Sequence, residues 1–286
     1  MRVTYLGPEG TFSGDALAAA LGGGEAERLP QATIYDAILA VEEGRAERAF
    51  VPFENSIEGA VRATLDTLAF EAESVAVVGE HDHPVSHSLV AGRQLELAEI
   101  TAVLSHPQAN AQCSRFIREQ LPQAEVRAAA STAEAVRIVG ESGEPWAAIG
   151  TASAAAIYGG VVLREGIEDS ADNVTRFVWI GPGGLALSGG DRWKTSLAFA
   201  ELGEDHPGAL VEALTEFSSR AVNLTRIESR PLRQGLGRYM FFIDLEGSSE
   251  QADVAAAIAA LREKASSVRI LGSYPVDAAG IPGEPA

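Results

Sequence analysis

A hydroxyl and a guanidinium stand near the start of an otherwise apolar stretch. Residues 172–180 read DNVTRFVWI, with Thr175 and Arg176 set into a run that reads as a buried strand. Polar side chains in such a strand either cap and salt-bridge the end of a sheet or face a ligand. Because successive side chains of a strand point to opposite faces, we expect Thr175 and Arg176 to have different surroundings.

Small polar residues also follow predicted strands, in the loops GPEGTFS (7–13), PFENS (52–56), SHPQA (105–109) and GTAS (150–153). Each loop leads into a predicted helix, whose first N–H groups are unpaired and carry partial positive charge. In α/β sheets, ligands bind where the carboxyl ends of strands and helix N-termini meet. Two interpretations stay open for each loop: its polar residues cap a helix, or they help to bind an anion.

The elements that position these loops repeat one pattern, an apolar strand, a polar loop and an amphipathic helix. AERAFVPF precedes one of the loops, EITAVLSH another and PWAAIGT a third. This alternation predicts right-handed βαβ units and a mostly parallel sheet. EHDHPVSHSLVAG (80–92) is extended and a candidate crossover between two lobes. We expect lobe 1 over about 1–80 and 161–181, and lobe 2 over about 81–160.

The pattern changes after a Gly-rich stretch without periodicity, which predicts a linker over 182–192. The predicted strands beyond it are KTSLAFAEL, NLTRIESRPL, LGRYMFFIDLEG and SSVRILGSYPV, with RQGLG as a hairpin turn. Two helical segments, HPGALVEALTEFSSR and DVAAAIAALREKA, separate them. The order β-α-β-β-α-β predicts a ferredoxin-like domain over 193–277, followed by a frayed tail, 278–286.

Charge and composition limit the partners. The 286 residues have a net charge of −18, which argues against nucleic acid or an anionic membrane. A small anion in a cleft depends on local donors instead, because salt screens charges beyond about 8 Å. Both lysines, Lys194 and Lys264, lie after residue 193, so chemistry before that point uses no lysine. A single cysteine, with no basic leader and no long apolar stretch, predicts a cytoplasmic protein.

The motifs, taken in order, resemble those of the prephenate dehydratase family over nearly all of residues 2–181. They are YLGPEGTFS, VPFENSIEGAV, SHPQANAQC, STAEAV, AAIGTASAA and NVTRF. PGALVEAL and NLTRIESRP resemble the ACT regulatory domain that follows in that family. The resemblance implies a two-lobed α/β catalytic region over 1–181, similar to type II periplasmic binding proteins, with its active site between the lobes. No long helical segment precedes the first predicted strand, so the chorismate mutase fused in some relatives is not expected.

The implied reaction is the loss of water and CO₂ from prephenate, giving phenylpyruvate. Expelling hydroxide needs a proton or a strong hydrogen bond at the leaving oxygen. The TRF motif implies that Thr175 supplies the essential hydroxyl, as a positioned donor, since threonine is too weak an acid to act alone. His81 and His83 share a strand face, but two ligands make no metal site, and we expect no metal or other cofactor.

Further positions match the cleft of the family. The residues expected to bind substrate are Thr11, Glu54, Asn55, Ser56, Gln108, Thr151 and Arg176. Glu54 is the titratable neighbour, and burial in a cleft would raise its pKa enough for it to act as an acid. Arg176 either contacts a substrate carboxylate or pairs with Asp172 or Glu54.

An ACT domain binds an amino acid, usually at an interface between two copies, and the resemblance implies L-phenylalanine as a feedback inhibitor. Glycine in PGAL lets a ligand approach the backbone, and the amide of Asn223 suits a zwitterion. The expected effector residues are Gly208, Ala209, Leu210, Asn223, Glu228 and Ser229. We expect a homodimer or homotetramer, and the alternative is a domain that serves only for dimerisation.

Two alternative functions stay open. Arogenate differs from prephenate only by an amino group in place of the side-chain keto group, so an acidic residue facing that group would favour arogenate dehydratase. The second alternative is a non-catalytic sensor with the same folds. The TRF motif argues against a sensor, because a cleft used only for binding needs no hydroxyl at the leaving group.

Overall fold

A computed structural model describes residues 1–185, 187, 190–202, 206–232 and 237–276 of the chain. The strands are β1 (Arg2–Leu6), β2 (Glu27–Gln31), β3 (Arg48–Asn55), β4 (Gly59–Ala60), β5 (Val75–Pro84), β6 (Ser88–Ala91), β7 (Ala102–Ser105), β8 (Glu125–Ala128), β9 (Trp146–Gly150), β10 (Val161–Glu165), β11 (Val174–Pro182), β12 (Trp193–Ala200), β13 (Leu224–Pro231), β14 (Tyr239–Glu246) and β15 (Ser267–Pro275). The helices are α1 (Phe12–Leu21), α2 (Ile34–Glu42), α3 (Arg62–Phe70), α4 (Pro107–Gln112), α5 (Ser114–Gln120), α6 (Thr132–Ser142), α7 (Ala152–Tyr158), α8 (Ala209–Ser218) and α9 (Ala252–Lys264).

The first sheet has the strand order β2-β1-β3-β11-β5, with β4 paired to β3. Strand β1 runs parallel to β2 and β3, as the βαβ pattern predicts. Strand β11 runs antiparallel to both of its neighbours, β3 and β5. Strands β2, β1, β3 and β5 thus run in one direction, as predicted, and the sheet is mixed because β11 and the short β4 run against them.

The second sheet has the order β10-β6-β9-β7-β8. The predicted crossover is present, since β5 ends in the first sheet at Pro84 and β6 begins in the second at Ser88. The return differs from the expected boundary near residue 161. Strand β10 pairs antiparallel with β6, so the chain crosses back between 166 and 173.

Small hydroxyl side chains begin the helices that follow the strands. Thr11, Thr33, Ser131 and Thr151 each accept a hydrogen bond from a backbone N–H three residues later, at the starts of α1, α2, α6 and α7. These bonds satisfy one of the unpaired donors at each helix start. The capping interpretation of the polar loops is therefore correct at Thr11 and Thr151, and the question for each is whether it also meets a ligand.

The third sheet forms the ferredoxin-like domain. Its order is β13-β14-β12-β15, with every neighbouring pair antiparallel, and α8 and α9 follow β12 and β14 as the β-α-β-β-α-β pattern predicts. Phe199, Phe217 and Leu261 lie in the core shared by this sheet and its helices. The tail 278–286 and the hairpin turn RQGLG, apart from its last residue, lie outside the described residues, and the linker 182–192 is described only in part.

The opposite face of the third sheet packs on the first sheet. Buried residues of both, including Phe53 and Val178 on one side and Phe242 and Tyr274 on the other, form one cluster. A Cβ at Gly272 would lie 2.1 Å from the carbonyl oxygen of Val77, so only glycine permits this approach of β15 to β5. No helix of the described residues is long and apolar enough to cross a membrane.

Candidate active site

A cavity of about 330 Å³ lies between the first and second sheets. The polar side chains that line it come from both sheets and from the crossover: Thr11, Ser13, Asn55, His87, His106, Gln108, Gln112, Ser131, Thr132 and Thr175. The apolar part of the lining includes Phe12 and Val85. The structure thus brings four of the predicted site residues, Thr11, Asn55, Gln108 and Thr175, to one cavity.

Thr175 lies opposite Asn55 in the pairing of β11 with β3. The Asn55 Nδ2 group donates to Thr175 Oγ1 at 2.9 Å and to Asn173 Oδ1 at 2.7 Å. The Asn55 Oδ1 atom accepts from the backbone N–H groups of Ile57 and Glu58, both at 3.0 Å, which fixes the orientation of the amide. Because Thr175 Oγ1 accepts from Asn55, its own proton is free to be donated to a molecule in the cavity.

Three helices begin at the cavity wall: α1 from the first sheet, and α4 and α6 from the second. The Ser131 Oγ atom accepts from the N–H of Glu134 at 3.0 Å, and the earlier N–H groups of α6 have no acceptor within the helix. The same holds for the first turn of α1, where Thr11 is the cap. These helix ends give the cavity a positive potential without a charged side chain.

Among the described residues that line the cavity, none is aspartate, glutamate, lysine or arginine. The titratable side chains there are His87 and His106. His87 is 1% exposed and packs against Phe12, with ring centroids 4.9 Å apart. Burial lowers the pKa of His87 below its ordinary value, and the nearby carboxylate of Glu168 opposes this shift. The imidazole of His87 is therefore neutral at neutral pH.

Glu54 and Arg176 do not line the cavity, in contrast to their predicted role in substrate binding. Each is the strand neighbour of a residue that does, Asn55 or Thr175, so its side chain points to the other face of the sheet. There Arg176 Nη2 lies 3.0 Å from Glu54 Oε2. Of the two interpretations left open for Arg176, the described contacts favour the ion pair.

Ser56 and Thr151 support the site from outside the cavity. The Ser56 Oγ group donates to the carbonyl of Asp172 and accepts from the N–H of Val174, both at 3.0 Å, which holds the start of β11. The Thr151 Oγ1 group donates to the carbonyl of Gly10 at 3.1 Å and so joins the two lobes. Both hydroxyls are hydrogen-bonded to backbone groups, and neither residue lines the cavity.

Several cavity residues were not among the predicted site residues, including Phe12, His87, Gln112 and Ser131. Ser131 could have been found, because STAEAV follows strand β8 with the same pattern of a polar cap before a helix. Gln112 Oε1 accepts from Asn173 Nδ2 at 3.2 Å and so connects α4 to the turn before β11, a contact that no local pattern encodes. His87 follows the crossover strand, and no periodicity distinguishes it.

The predicted effector residues lie on the surface of the third sheet and its first helix. Gly208, at the start of α8, has φ 100°, a conformation that favours glycine. A Cβ there would meet nothing within 4 Å, so backbone geometry and not space explains the glycine. Asn223 is exposed just before β13, which carries Glu228 and Ser229 and forms an edge of the sheet.

Two families of known proteins match this chain, one over the first two sheets and one over the third. The model of the prephenate dehydratase family matches residues 3–184, and that of the ACT domain matches residues 201–263. The chain belongs to the prephenate dehydratase family. A prephenate dehydratase of Mycobacterium bovis (strain BCG / Pasteur 1173P2) is 39% identical over 285 residues, which cover 96% of this chain and 87% of that protein.

Solved structures agree with this assignment. A prephenate dehydratase of Arthrobacter aurescens, in complex with L-Phe, is 41% identical with a TM-score of 0.87 and is matched over 96% of this chain and 90% of that one. A chain described as GqqA, a novel type of quorum quenching acylase, is 32% identical with a TM-score of 0.85, over 97% and 98% of the two chains.

The buried histidines make the stability of this dehydratase depend on pH. Burial lowers the pKa values of His81, His83 and His87 below 6.5, so the unfolded chain binds more protons than the folded one in weak acid. The free energy of unfolding should therefore fall as the pH drops below about 6.5. We expect His87→Gln to reduce this slope in urea titrations at pH 8.0, 6.5 and 5.5. An equally steep slope in the variant would show that His87 is not involved, and two further titrations at pH 7.5 and 8.5, where the slope should match wild type, serve as the internal control.

Proposed function

We propose that the cavity binds prephenate and converts it to phenylpyruvate, with Thr175 as the catalytic residue. The observation that carries this proposal is the Thr175 hydroxyl, which accepts from Asn55 and retains a free proton at the wall of a cavity whose described lining has no aspartate, glutamate, lysine or arginine. In the reaction the C–O bond breaks towards oxygen, and the departing hydroxide takes up a proton to leave as water. The electrons of the C–CO₂⁻ bond complete the aromatic ring as CO₂ departs. A hydrogen bond from Thr175 to the departing oxygen stabilises the charge that develops there.

Neutral donors suit both carboxylates of prephenate. The first turns of α1 and α6 offer backbone N–H groups, and Gln108, at the start of α4, adds an amide. Preorganised dipoles stabilise an anion in a site that excludes water, and they keep the ring carboxylate poorly solvated. Weak solvation favours its departure as neutral CO₂, whereas a tight ion pair to lysine or arginine would hold it back.

The same lining supports prephenate over arogenate. Arogenate carries an ammonium group where prephenate has a keto oxygen, and an ammonium taken out of water without a carboxylate partner is strongly disfavoured. The described lining has no aspartate or glutamate to accept it. The side-chain keto group needs only a hydrogen-bond donor, which the amides and hydroxyls supply.

The described contacts do not support Glu54 as the acid. Its carboxylate lies by the guanidinium of Arg176 on the far face of the sheet. The titratable residues at the cavity are histidines, so a proton passed on through Thr175 comes from one of them or from bound water.

Acyl hydrolysis, the activity in the description of GqqA, finds less support here. Nucleophilic hydrolysis by a hydroxyl needs a base within hydrogen-bond reach of it. Within the described residues, no serine or threonine of the cavity is hydrogen-bonded to a histidine; Thr175 pairs with Asn55, and Ser131 caps α6. An amide cannot take the proton of a nucleophile, so this arrangement favours dehydration.

We further propose that L-phenylalanine inhibits the enzyme by binding at the ACT domain between two copies of the chain. The bound ligand of the Arthrobacter aurescens structure supports this effector. Strand β13 is an edge of its sheet, and Ile227 on it is 49% exposed, which suits pairing with a second copy in a homodimer or homotetramer. The single cysteine suits the reducing cytoplasm, where we propose that the enzyme works.

Thr175 is tested with the pair Thr175→Ala and Thr175→Ser. Loss of one preorganised donor lowers kcat by about 10²–10³, so we expect at least that loss for Thr175→Ala with an unchanged circular dichroism spectrum. Thr175→Ser keeps the hydroxyl and should retain most of the activity. The measurement is phenylpyruvate formation from prephenate, and near-normal turnover by Thr175→Ala would remove Thr175 from the mechanism.

The effector site is tested with Asn223→Ala. Coupling between two sites commonly changes an affinity by about 5–150-fold. We therefore expect the phenylalanine concentration for half-inhibition to rise by about tenfold or more. The uninhibited kcat should stay close to wild type, because Asn223 lies in the ACT domain away from the cavity. Full sensitivity of the variant to phenylalanine would place the effector elsewhere.

A further inference from the structure

The residue after Thr175 ties the catalytic strand to the ACT domain. The side chain of Arg176 is 11% exposed, and its Nη2 group donates to Asp244 Oδ2 at 2.6 Å. Asp244 lies on β14, the central part of the ACT sheet, and is fully buried. The residue with a hydroxyl at the cavity, Thr175, is therefore directly followed in the chain by a residue, Arg176, that forms an ion pair with the other domain.

Donors from several strands hold the Asp244 carboxylate in place. Besides Arg176, Arg226 Nε donates to Oδ2 at 2.9 Å, and Ser196 Oγ donates to Oδ1 at 2.7 Å. Burial acts to raise the pKa of Asp244, but the two guanidinium groups outweigh it and bring the pKa down to about 2. The carboxylate is thus ionised at neutral pH and fixed on both oxygens.

A second carboxylate holds Arg176 from the side of the catalytic region. Glu80 Oε2 on β5 lies 3.3 Å from Arg176 Nη1, and Glu80 also accepts from Lys194 at 2.6 Å and from the Tyr274 hydroxyl at 3.1 Å. Lys194 and Tyr274 belong to the ACT sheet. We call Arg176, Glu80, Asp244, Arg226, Lys194 and Tyr274 the interdomain ion cluster.

The ring of Phe53 restricts this cluster further. The guanidinium carbons of Arg176 and Arg226 lie 4.9 Å and 4.8 Å from its centroid, so both cations pack on one aromatic side chain of β3. The pairing of β11 with β3 is also irregular between Arg176 and Phe177. Arg176 and Phe177 pair with Glu54 and Pro52, so the extra residue of this bulge is Phe53 of β3. The Phe53 ring packs on the Arg176 guanidinium, so the bulge and the ion cluster together fix Arg176 and, through the backbone of β11, the neighbouring Thr175.

We propose that Asp244 is a positioning residue of the dehydratase site. It does not touch the cavity; it fixes Arg176, which holds β11 against the bulge of β3 at Phe53 and so positions the Thr175 hydroxyl. The ACT sheet is then a structural part of the catalytic site as well as a place for an effector. This inference rests on the proposed role of Thr175.

The test is a double-mutant cycle on kcat with Asp244→Asn, Thr175→Ala and the double variant. If Asp244 acts by positioning the Thr175 hydroxyl, Asp244→Asn lowers kcat about tenfold or more with little change in KM, because only an interaction of the transition state is weakened. In the Thr175→Ala background the same substitution has no hydroxyl to misplace, and kcat changes by less than about twofold. Unchanged kcat in Asp244→Asn, or losses that multiply in the double variant, would overturn the inference.

The matched control breaks another ion pair between the same two domains. Arg230 on β13 donates to Asp66 on α3 at 2.9 Å, and neither residue touches β11 or the cavity in the described contacts. Asp66→Asn should leave kcat within about twofold of wild type, as expected for a distant, independent site. A loss as large as that in Asp244→Asn would mean that any weakening of the domain interface suffices, and the proposal would fail.

Glu80→Gln provides a second variant for the same cycle, because Asp244→Asn removes the Asp244 charge from the buried guanidinium of Arg226 and one of three carboxylates from Arg176, which can prevent folding. This substitution removes one of the carboxylates that pair with Arg176 and leaves Asp244 in place. We expect kcat to fall about threefold or more, again only when Thr175 is present. Full activity of Thr175→Ala would overturn the proposed role of Thr175 itself. A large loss in Thr175→Ala with normal kcat in both Asp244→Asn and Glu80→Gln would overturn only the positioning role.

Discussion

One strand with two faces organises this protein. Because side chains alternate along β11, Thr175 faces the cavity between the lobes while Arg176 faces the ACT sheet. The strand lies between β3, which contributes Asn55 to the first face, and β5, which contributes Glu80 to the second. The cavity and the domain interface therefore meet at consecutive residues of one strand.

The electrostatics of the two faces are opposite in kind. The cavity face uses neutral hydroxyls, amides and helix N-termini, and its described lining has no aspartate, glutamate, lysine or arginine. The ACT face concentrates ionised groups, with carboxylates and guanidinium groups buried together. The carboxylates that give the chain its net charge of −18 thus lie outside the described lining of the cavity. Charged residues that would bind the carboxylates too tightly for CO₂ to leave are used instead to join the domains.

Much of the site could be predicted because strand ends and helix starts leave clear local patterns. Thr11, Asn55, Gln108 and Thr175 lie where a strand meets a loop, and the structure places all four at the cavity. The order of strands and helices was also enough to predict the two lobes and the ACT domain, whose β-α-β-β-α-β pattern is confirmed.

The rest depended on contacts between distant parts of the chain. Thr151 fits the same local pattern as Thr11, but its hydroxyl is taken by the carbonyl of Gly10 in the other lobe. Strand β10 pairs with β6 in the second sheet, which places the return crossover later than predicted. The sequence of a short apolar strand does not show which of two sheets it joins. Arg176 and Glu54 could be placed only by knowing which face of the strand meets the ACT sheet.

The most direct test is to mix the purified protein with prephenate and follow phenylpyruvate, with arogenate in a parallel reaction and with phenylalanine present or absent. A cavity that offers the Thr175 hydroxyl and no carboxylate predicts rapid turnover of prephenate and little turnover of arogenate. The ACT domain predicts inhibition by phenylalanine. Binding of prephenate without product, or a higher kcat/KM for arogenate, would contradict the account.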